Sequence, residues 1–340
     1  MSYKKLSVPE LCDRLEGLEC CKLLMHCSPD GDALGSCTAL SYILRDMGVR
    51  SFIVSPDEKF PEHLRPFRTL EVYTPKEAQE LECDSVVTVD VASPVQLGVN
   101  YETYKDKICL MIDHHDNGTV MADNLIRPEA AAVGEIIFDI ADELIKRGRI
   151  KALSQEAAEA IYLSISSDTG CFKYSNARPK THMYAARLIV AGVRSAYINM
   201  MYFDSKSSEQ IEAEKIVYNN LHILLDGKLV IAALDKKAKN GILNEHFENA
   251  VNIARSVKGA LVSCSIKEKD ASDGDFRVSM RSGVSGINVA EICAMFGGGG
   301  HVCAAGCSVQ AENIDEAMRI VTEAVLRSIE SSERKATVGE

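Results

Sequence analysis

The first half of the chain alternates short runs of β-forming apolar residues with longer amphipathic stretches. That alternation constrains the fold more than any other feature. CKLLMHC, RSFIVS, SVVTVDV and DKICLMID read as strands. ALGSCTALSYILRDMG, AAVGEIIFDIADELIKRG and SQEAAEAIYLSISSDTG have the length and apolar spacing of helices. Strands separated by helices pair in parallel, with the helices covering both faces of the sheet. The expected fold class is therefore α/β, with a doubly wound, mostly parallel N-terminal sheet joined by a helical linker to a smaller α/β domain. KLVIAALD, GALVSCSIKE and FRVSMRS read as strands of that second domain, and INVAEICAMF as a helix. The expected boundaries are 1–192 for the first domain, 193–217 for the linker, 218–330 for the second domain and 331–340 for a polar tail.

The chain has 340 residues, 46% of them hydrophobic, enough to bury more than one core. No run approaches the roughly 18 apolar residues of a membrane span. The opening MSYKKLSVPELCDRLEG breaks into charge at once, unlike a signal peptide. A soluble, cytoplasmic protein without membrane partners is expected. The twelve cysteines lack paired C-x2-C units and mostly sit in apolar contexts, so they read as small buried hydrophobes in a reducing compartment. A net charge of −11 argues against coating long duplex nucleic acid, but is compatible with short nucleotides held by a local patch and bound cations.

In a parallel α/β sheet, function collects beyond the carboxyl ends of the strands. Three of the expected strands end in ligand-type residues: His26, Asp30 and Asp32 after the first, Asp90 after the third, and Asp113, His114 and His115 after the fourth. The helix LSISSDTGCF adds Asp168. A single such end is ordinary turn chemistry. Three on one edge would repel one another unless a cation neutralised them. Carboxylate and imidazole donors without thiolate favour Mn²⁺ or Mg²⁺ over structural zinc, and their number suits two ions sharing a bridging aspartate.

The second concentrated signal is MFGGGGHVCAAGC, residues 295–307. It is neither a Walker A loop nor a dinucleotide fingerprint. A glycine run alone reads as a flexible turn, but His301 and the basic strand with Arg277 and Arg281 raise an anion or nucleotide cradle as the alternative.

Together these residues resemble the DHH phosphoesterase superfamily, through Asp113-His114-His115, and its DHHA1 domain, through Gly298, Gly299, Gly300 and His301. The subgroup it looks most like is the bifunctional oligoribonuclease and pAp phosphatase type, the nanoRNases. The resemblance implies a Mn²⁺-dependent phosphoesterase that cleaves very short RNA or linear dinucleotides such as pApA to mononucleotides and dephosphorylates pAp. It implies two ions, with Mg²⁺ as the alternative to Mn²⁺, and attack on phosphorus by an activated hydroxide. By the same resemblance, His26 and Asp30 bind one ion, Asp32, His114 and Asp168 the other, and Asp90 bridges. Asp113 orients the site from behind, and His115 meets the scissile phosphate or assists proton transfer to the leaving group. Arg281, the glycine loop and His301 hold the terminal phosphate or base. Asn176 and His182 match the family pattern without an assigned role, and homodimers fit the family. Cys27 raises the hypothesis of oxidant sensitivity. Pyrophosphatase or polyphosphatase, a RecJ-like exonuclease and a non-catalytic nucleotide-binding regulator are the alternatives.

Overall fold

A computed structural model describes residues 3–283 and 286–338 of the chain. These divide into two compact units that meet between Ser205 and Lys206, inside the stretch expected to be the linker.

In the first unit the elements are α1 (Val8–Glu16), β1 (Cys20–Leu24), α2 (Gly31–Asp46), β2 (Arg50–Val54), β3 (Val72–Tyr73), α3 (Pro75–Gln79), β4 (Val86–Val89), α4 (Val99–Tyr104), β5 (Ile108–Asp113), β6 (Asp123–Ile126), α5 (Val133–Lys146), α6 (Gln155–Asp168), α7 (Pro179–Val190) and α8 (Ser195–Asn199). A π-helical turn, Met200–Asp204, closes the unit. Every strand pair is parallel and the order is β3-β2-β1-β4-β5-β6. Successive strand residues enter opposite cores: Leu23, Ile53, Val87 and Ile112 pack with α2, α5 and α6, while Leu24, Val54, Val86 and Met111 pack on the other face with Tyr104. Burial on both faces explains why these strands read as continuous apolar runs. The order reverses between β1 and β4, and at such a switch point the chain leaves a crevice at the carboxyl ends of the strands.

The second unit contains α9 (Ser208–Asn219), β7 (Leu221–Leu224), β8 (Leu229–Leu234), α10 (Lys236–Lys239), α11 (Ala250–Arg255), β9 (Val262–Glu268), β10 (Asp275–Ser282), α12 (Val289–Ala294), β11 (Gly299–His301), β12 (Ala304–Gln310) and α13 (Ile314–Val338). Its sheet is mixed, ordered β11-β12-β10-β9-β8-β7, with only β8 and β9 parallel. One face carries the core of Cys264, Val278, Met280 and Val309 under α12 and α13. The other is covered by α9 and α11 over β8.

Two expectations are corrected. Cys20 and Cys83 are joined in a disulfide across 63 residues of sequence, and Cys27 and Cys303 are exposed, so the twelve cysteines are not uniformly buried thiols. The adjacent strand ends of β1 and the turn before β4 bring the bonded pair together, a proximity that spacing does not reveal. The stretch from 331 is not a separate tail, because α13 continues through it to Val338. Among the described residues, no helix is long and apolar enough to cross a membrane.

Candidate metal centre

The acids and histidines expected to converge do converge, at the switch point. His26 lies just past β1, and its Nε2 is 3.7 Å from Asp30 Oδ1 and 3.5 Å from Asp90 Oδ2. His114, just past β5, places Nε2 at 3.6 Å from Asp32 Oδ2, 3.7 Å from Asp90 Oδ1 and 3.3 Å from Asp168 Oδ2. His115 Nδ1 is 3.7 Å from Asp90 Oδ1 and 2.8 Å from Asp113 Oδ1. Three triplets result, His26-Asp30-Asp90, Asp32-His114-Asp168 and Asp90-His114-His115, each with its donor atoms within 4.8 Å of one another. Asp90 and His114 each belong to two.

Local structure aims each group. Asp90 sits at φ +59, a left-handed conformation rare for a residue with a side chain, and it turns the chain at the end of β4. Asp30 caps α2 by accepting the Asp32 and Ala33 amides at 2.9 and 3.1 Å. Asp32 is fully buried, held by the hydroxyls of Ser36 (2.8 Å) and Ser164 (2.6 Å) on one oxygen and the Val133 amide (2.8 Å) on the other. His26 Nδ1 contacts the Cys27 carbonyl at 2.9 Å, and His114 Nδ1 the Ala130 carbonyl at 3.2 Å. Tying Nδ1 to a carbonyl fixes the ring and points Nε2 inward, the usual arrangement behind a metal-binding histidine. Asp113 Oδ1 accepts the backbone amides of both following histidines, at 2.8 and 3.3 Å.

The electrostatics favour a cation. Burial, then the charge of Asp90, pushes the Asp32 carboxyl up to about 7. Burial, then Asp32, Asp30 and Asp90, pushes Asp168 well above the carboxylate range. Burial opposes the charge on His26, but Asp30 and Asp90 outweigh it and hold the imidazole up to about 12. For His115 burial is likewise outweighed by Asp113, and the value rises to about 9. Asp90 Oδ1 is buried without a hydrogen-bond partner. A buried carboxylate oxygen left unpaired is costly, and a divalent ion is the partner that satisfies it and its neighbours together. The donor set fits one.

The second unit collects the other expected residues. Antiparallel pairing sets Arg281 opposite Ala304, and Ala304 opposite His301, so the three form one cross-strand row. The next row on the same face is Ser279, Gly306 and Gly299. Arg277 lies on the same face of β10 as Arg281, since strand side chains alternate. The small residues of β12 thus floor a shallow platform with Arg277 and Arg281 on one side and His301 on the other. Gly300 has φ +142, and a Cβ on Gly298 would sit 2.2 Å from the Gly306 carbonyl, so only glycine fits this turn.

Some supporting residues escaped the sequence reading. Ser36 and Ser164 look like ordinary helix residues, and only the packing of α2 on α6 reveals that they hold Asp32. Asn176 donates to the carbonyls of Asp168 and Ala131, both at 3.1 Å, and so braces the turn after α6. His182 is exposed, lies against the Phe172 ring at 5.4 Å and belongs to none of the triplets.

Residues 22–165 match the family model "DHH family, N-terminal domain", and residues 226–326 match "DHHA1 domain". The chain carries a DHH-family domain followed by a DHHA1 domain. DHH proteins are metal-dependent phosphoesterases, and this chain is an enzyme of that class. It is 28% identical over 303 residues to the bifunctional oligoribonuclease and PAP phosphatase NrnA of Thermus thermophilus, covering 88% of this DHH chain and 87% of that one. It is also 28% identical over 301 residues to the protein of the same description from Bacillus subtilis, covering 88% and 91%. Among solved structures, an exopolyphosphatase-related protein from Bacteroides fragilis superposes with a TM-score of 0.85 at 22% identity, over 94% of this chain and 95% of that one. That likeness establishes the DHH–DHHA1 fold.

Proposed function

We propose that the protein is a manganese-dependent phosphoesterase that hydrolyses very short RNA and linear dinucleotides such as pApA to mononucleotides, and that it also removes a phosphate from pAp. The observation that carries the reading is the set of three donor triplets sharing Asp90 and His114 at one switch point. The DHHA1 match over the glycine segment, and curated relatives named for both activities, support the substrate class.

In this reading His26 and Asp30 would hold one ion, Asp32, His114 and Asp168 would hold the other, and Asp90 would contribute to both. Divalent cations held there would supply Lewis acidity toward phosphate oxygens and activate a water as nucleophile. The chain's own residues do the rest. Asp113 fixes His115 through Nδ1, and the raised value of His115 keeps a proton available for the leaving oxygen. Arg281, Gly298, Gly299, Gly300 and His301 form the cradle for the terminal phosphate or base, with Arg281 suited to a phosphate fork. Carboxylate and imidazole donors without thiolate suit Mn²⁺ and Mg²⁺ alike. Mg²⁺ is therefore the competing ion. A cytoplasmic location belongs to the same reading.

The test is incubation of the full chain with Mn²⁺ and, separately, an RNA dinucleotide, an RNA of about two dozen nucleotides, pAp and pyrophosphate. Much faster release of mononucleotides from the dinucleotide than from the longer RNA, together with turnover of pAp, is expected. Turnover of pyrophosphate alone would overturn the substrate assignment and leave only the metal chemistry. Asp90→Ala separates the remaining alternatives: it is expected to abolish turnover in a protein that still unfolds cooperatively. Unchanged nucleotide binding without any turnover in the parent chain would instead identify a regulator.

A further inference from the structure

We propose that a cleft at the amino-terminal edge of the first unit's sheet binds a small anion, a carboxylate or phosphate head group, seated on the ammonium of Lys22. The cleft has a volume of about 660 Å³, within the range of small-molecule sites. It lies at the opposite end of β1 from the metal cluster: Glu19 and Cys20 line it, Lys22 is the middle residue of the strand, and His26 is beyond its last residue. It therefore has no part in the chemistry described above.

Lys22 is the group that would meet the anion, its stem buried in the sheet face and its ammonium lining the cleft. It points into the same face of the sheet as Leu24 and Val86, an apolar core position, and only 3% of it is exposed. Among the described residues, no carboxylate lies within ion-pairing distance of it; its ammonium stands over the Tyr104 ring, 5.0 Å from the centroid. Burial first, and the like charge of Lys107 second, disfavours the protonated form. The nearest compensating group, Asp84, is occupied by Lys107 at 2.6 Å. The Tyr104 hydroxyl is itself buried without a partner. An ammonium placed in an apolar face without a counter-ion is costly, and a methionine would fill the same volume without that cost. An anion entering the cleft supplies the missing charge.

The surroundings limit what the anion is attached to. Glu19, Glu80 and Glu82 line the mouth, but all are exposed and screened by water, whereas Lys22 lies at depth. The negative end of a ligand therefore goes inward, and a cationic or neutral polar end faces the carboxylates at the mouth. Arg50, also exposed at the mouth, is a third cation beside Lys22 and Lys107, the last of these paired with Asp84. The Cys20–Cys83 disulfide forms one wall and ties β1 to the segment before β4.

The experiment is a backbone-amide NMR titration of the full chain with inorganic phosphate and, in a separate sample, with succinate. Saturable shifts at Lys22, Cys83, Asp84 and Tyr104 are expected with at least one probe; the probe that produces them names the head group. Location separates this response from phosphate bound at the metal centre or at the glycine platform. Lys22→Met keeps the unbranched stem over Tyr104 and removes the charge. It is expected to weaken the response at the cleft at least about tenfold while leaving phosphoesterase turnover intact. Should that variant fail to fold, Arg50→Gln is read instead, with a severalfold weaker Kd expected. Absence of saturable shifts at the cleft with both probes, or an unchanged Kd in the variant that is read, would overturn the proposal.

Discussion

At the scale of single residues, the site depends on groups that hold ligands as much as on the ligands. Asp113 touches both following amides and His115 through one oxygen, so it sets the position of two imidazoles at once. Asp113→Asn is expected to weaken Mn²⁺ binding by about 10–100-fold, as read by titration calorimetry, without unfolding the chain. A second residue predicts the response to pH. Lys267 is buried in the second unit and, among the described residues, its ammonium donates to the Phe247 carbonyl alone, at 3.4 Å; burial first, with Arg277 second, holds it down to about 8 from 10.5. Between those values the unfolded chain carries the proton and the folded chain does not. The unfolded state thus binds more protons, and stability rises with pH across that window. The expected gain is about 3 kcal/mol on going from below pH 8 to above the ordinary lysine value, measured by denaturant unfolding of the second unit. In Lys267→Met the rise disappears. The strand ends carrying Asp30, Asp90 and Asp113 were legible in sequence, because apolar runs that stop at an acid are visible in a single chain. Ser164 was not, since a serine's partner lies wherever packing puts it.

At the scale of elements, the metal cluster requires three helices to approach one another more closely than ordinary side chains allow. A Cβ on Gly35 would lie 2.5 Å from the Ala160 carbonyl and 2.9 Å from the Ser164 amide, both backbone atoms that cannot turn aside. The glycine lets α2 meet α6, which brings Asp32 to Asp168 across His114. Gly35→Ala is expected to cost about 1–3 kcal/mol in denaturant unfolding and to weaken metal binding as the helices part. Gly17, with φ −81 and nothing nearer than 3.6 Å, is the control: Gly17→Ala is expected to fall within about 0.5 kcal/mol of the parent. Four of the first sheet's six strands were readable from their buried apolar runs. The two-residue β3 is too brief for any periodicity to register, β6 (DNLI) opens on two polar residues rather than an apolar run, and β11 and β12 are rich in glycine, alanine and other small residues whose pairing is not written in hydrophobicity.

At the scale of the whole molecule, each unit has its own sheet and its own cores, and the converging acids burden only the first. A cation that binds the folded cluster therefore stabilises that unit selectively. At a free Mn²⁺ concentration of about 100 times Kd, the expected stabilisation is about 2.7 kcal/mol, seen as slowed hydrogen exchange in α2 and α6 with β8 to β10 unchanged. Slowing of equal size in both units would mean that the ion acts elsewhere. The net charge of −11 belongs to this scale too: it repels long polyanions and leaves recognition to local groups, so turnover of a dinucleotide is expected to depend only weakly on salt.

The sequence by itself determined the α/β class, the chemistry of the donor set and its position at strand ends, because strand period, apolar length and residue type are local properties that each residue carries wherever it lies. Only the tertiary structure decided which oxygen faces which nitrogen, that Asp90 and His114 each serve two triplets, that Arg281 and His301 flank Ala304, and that Cys20 meets Cys83. Those facts are distances between segments far apart in the chain, and they are fixed by sheet order, register and the close packing of helices, none of which any one segment contains.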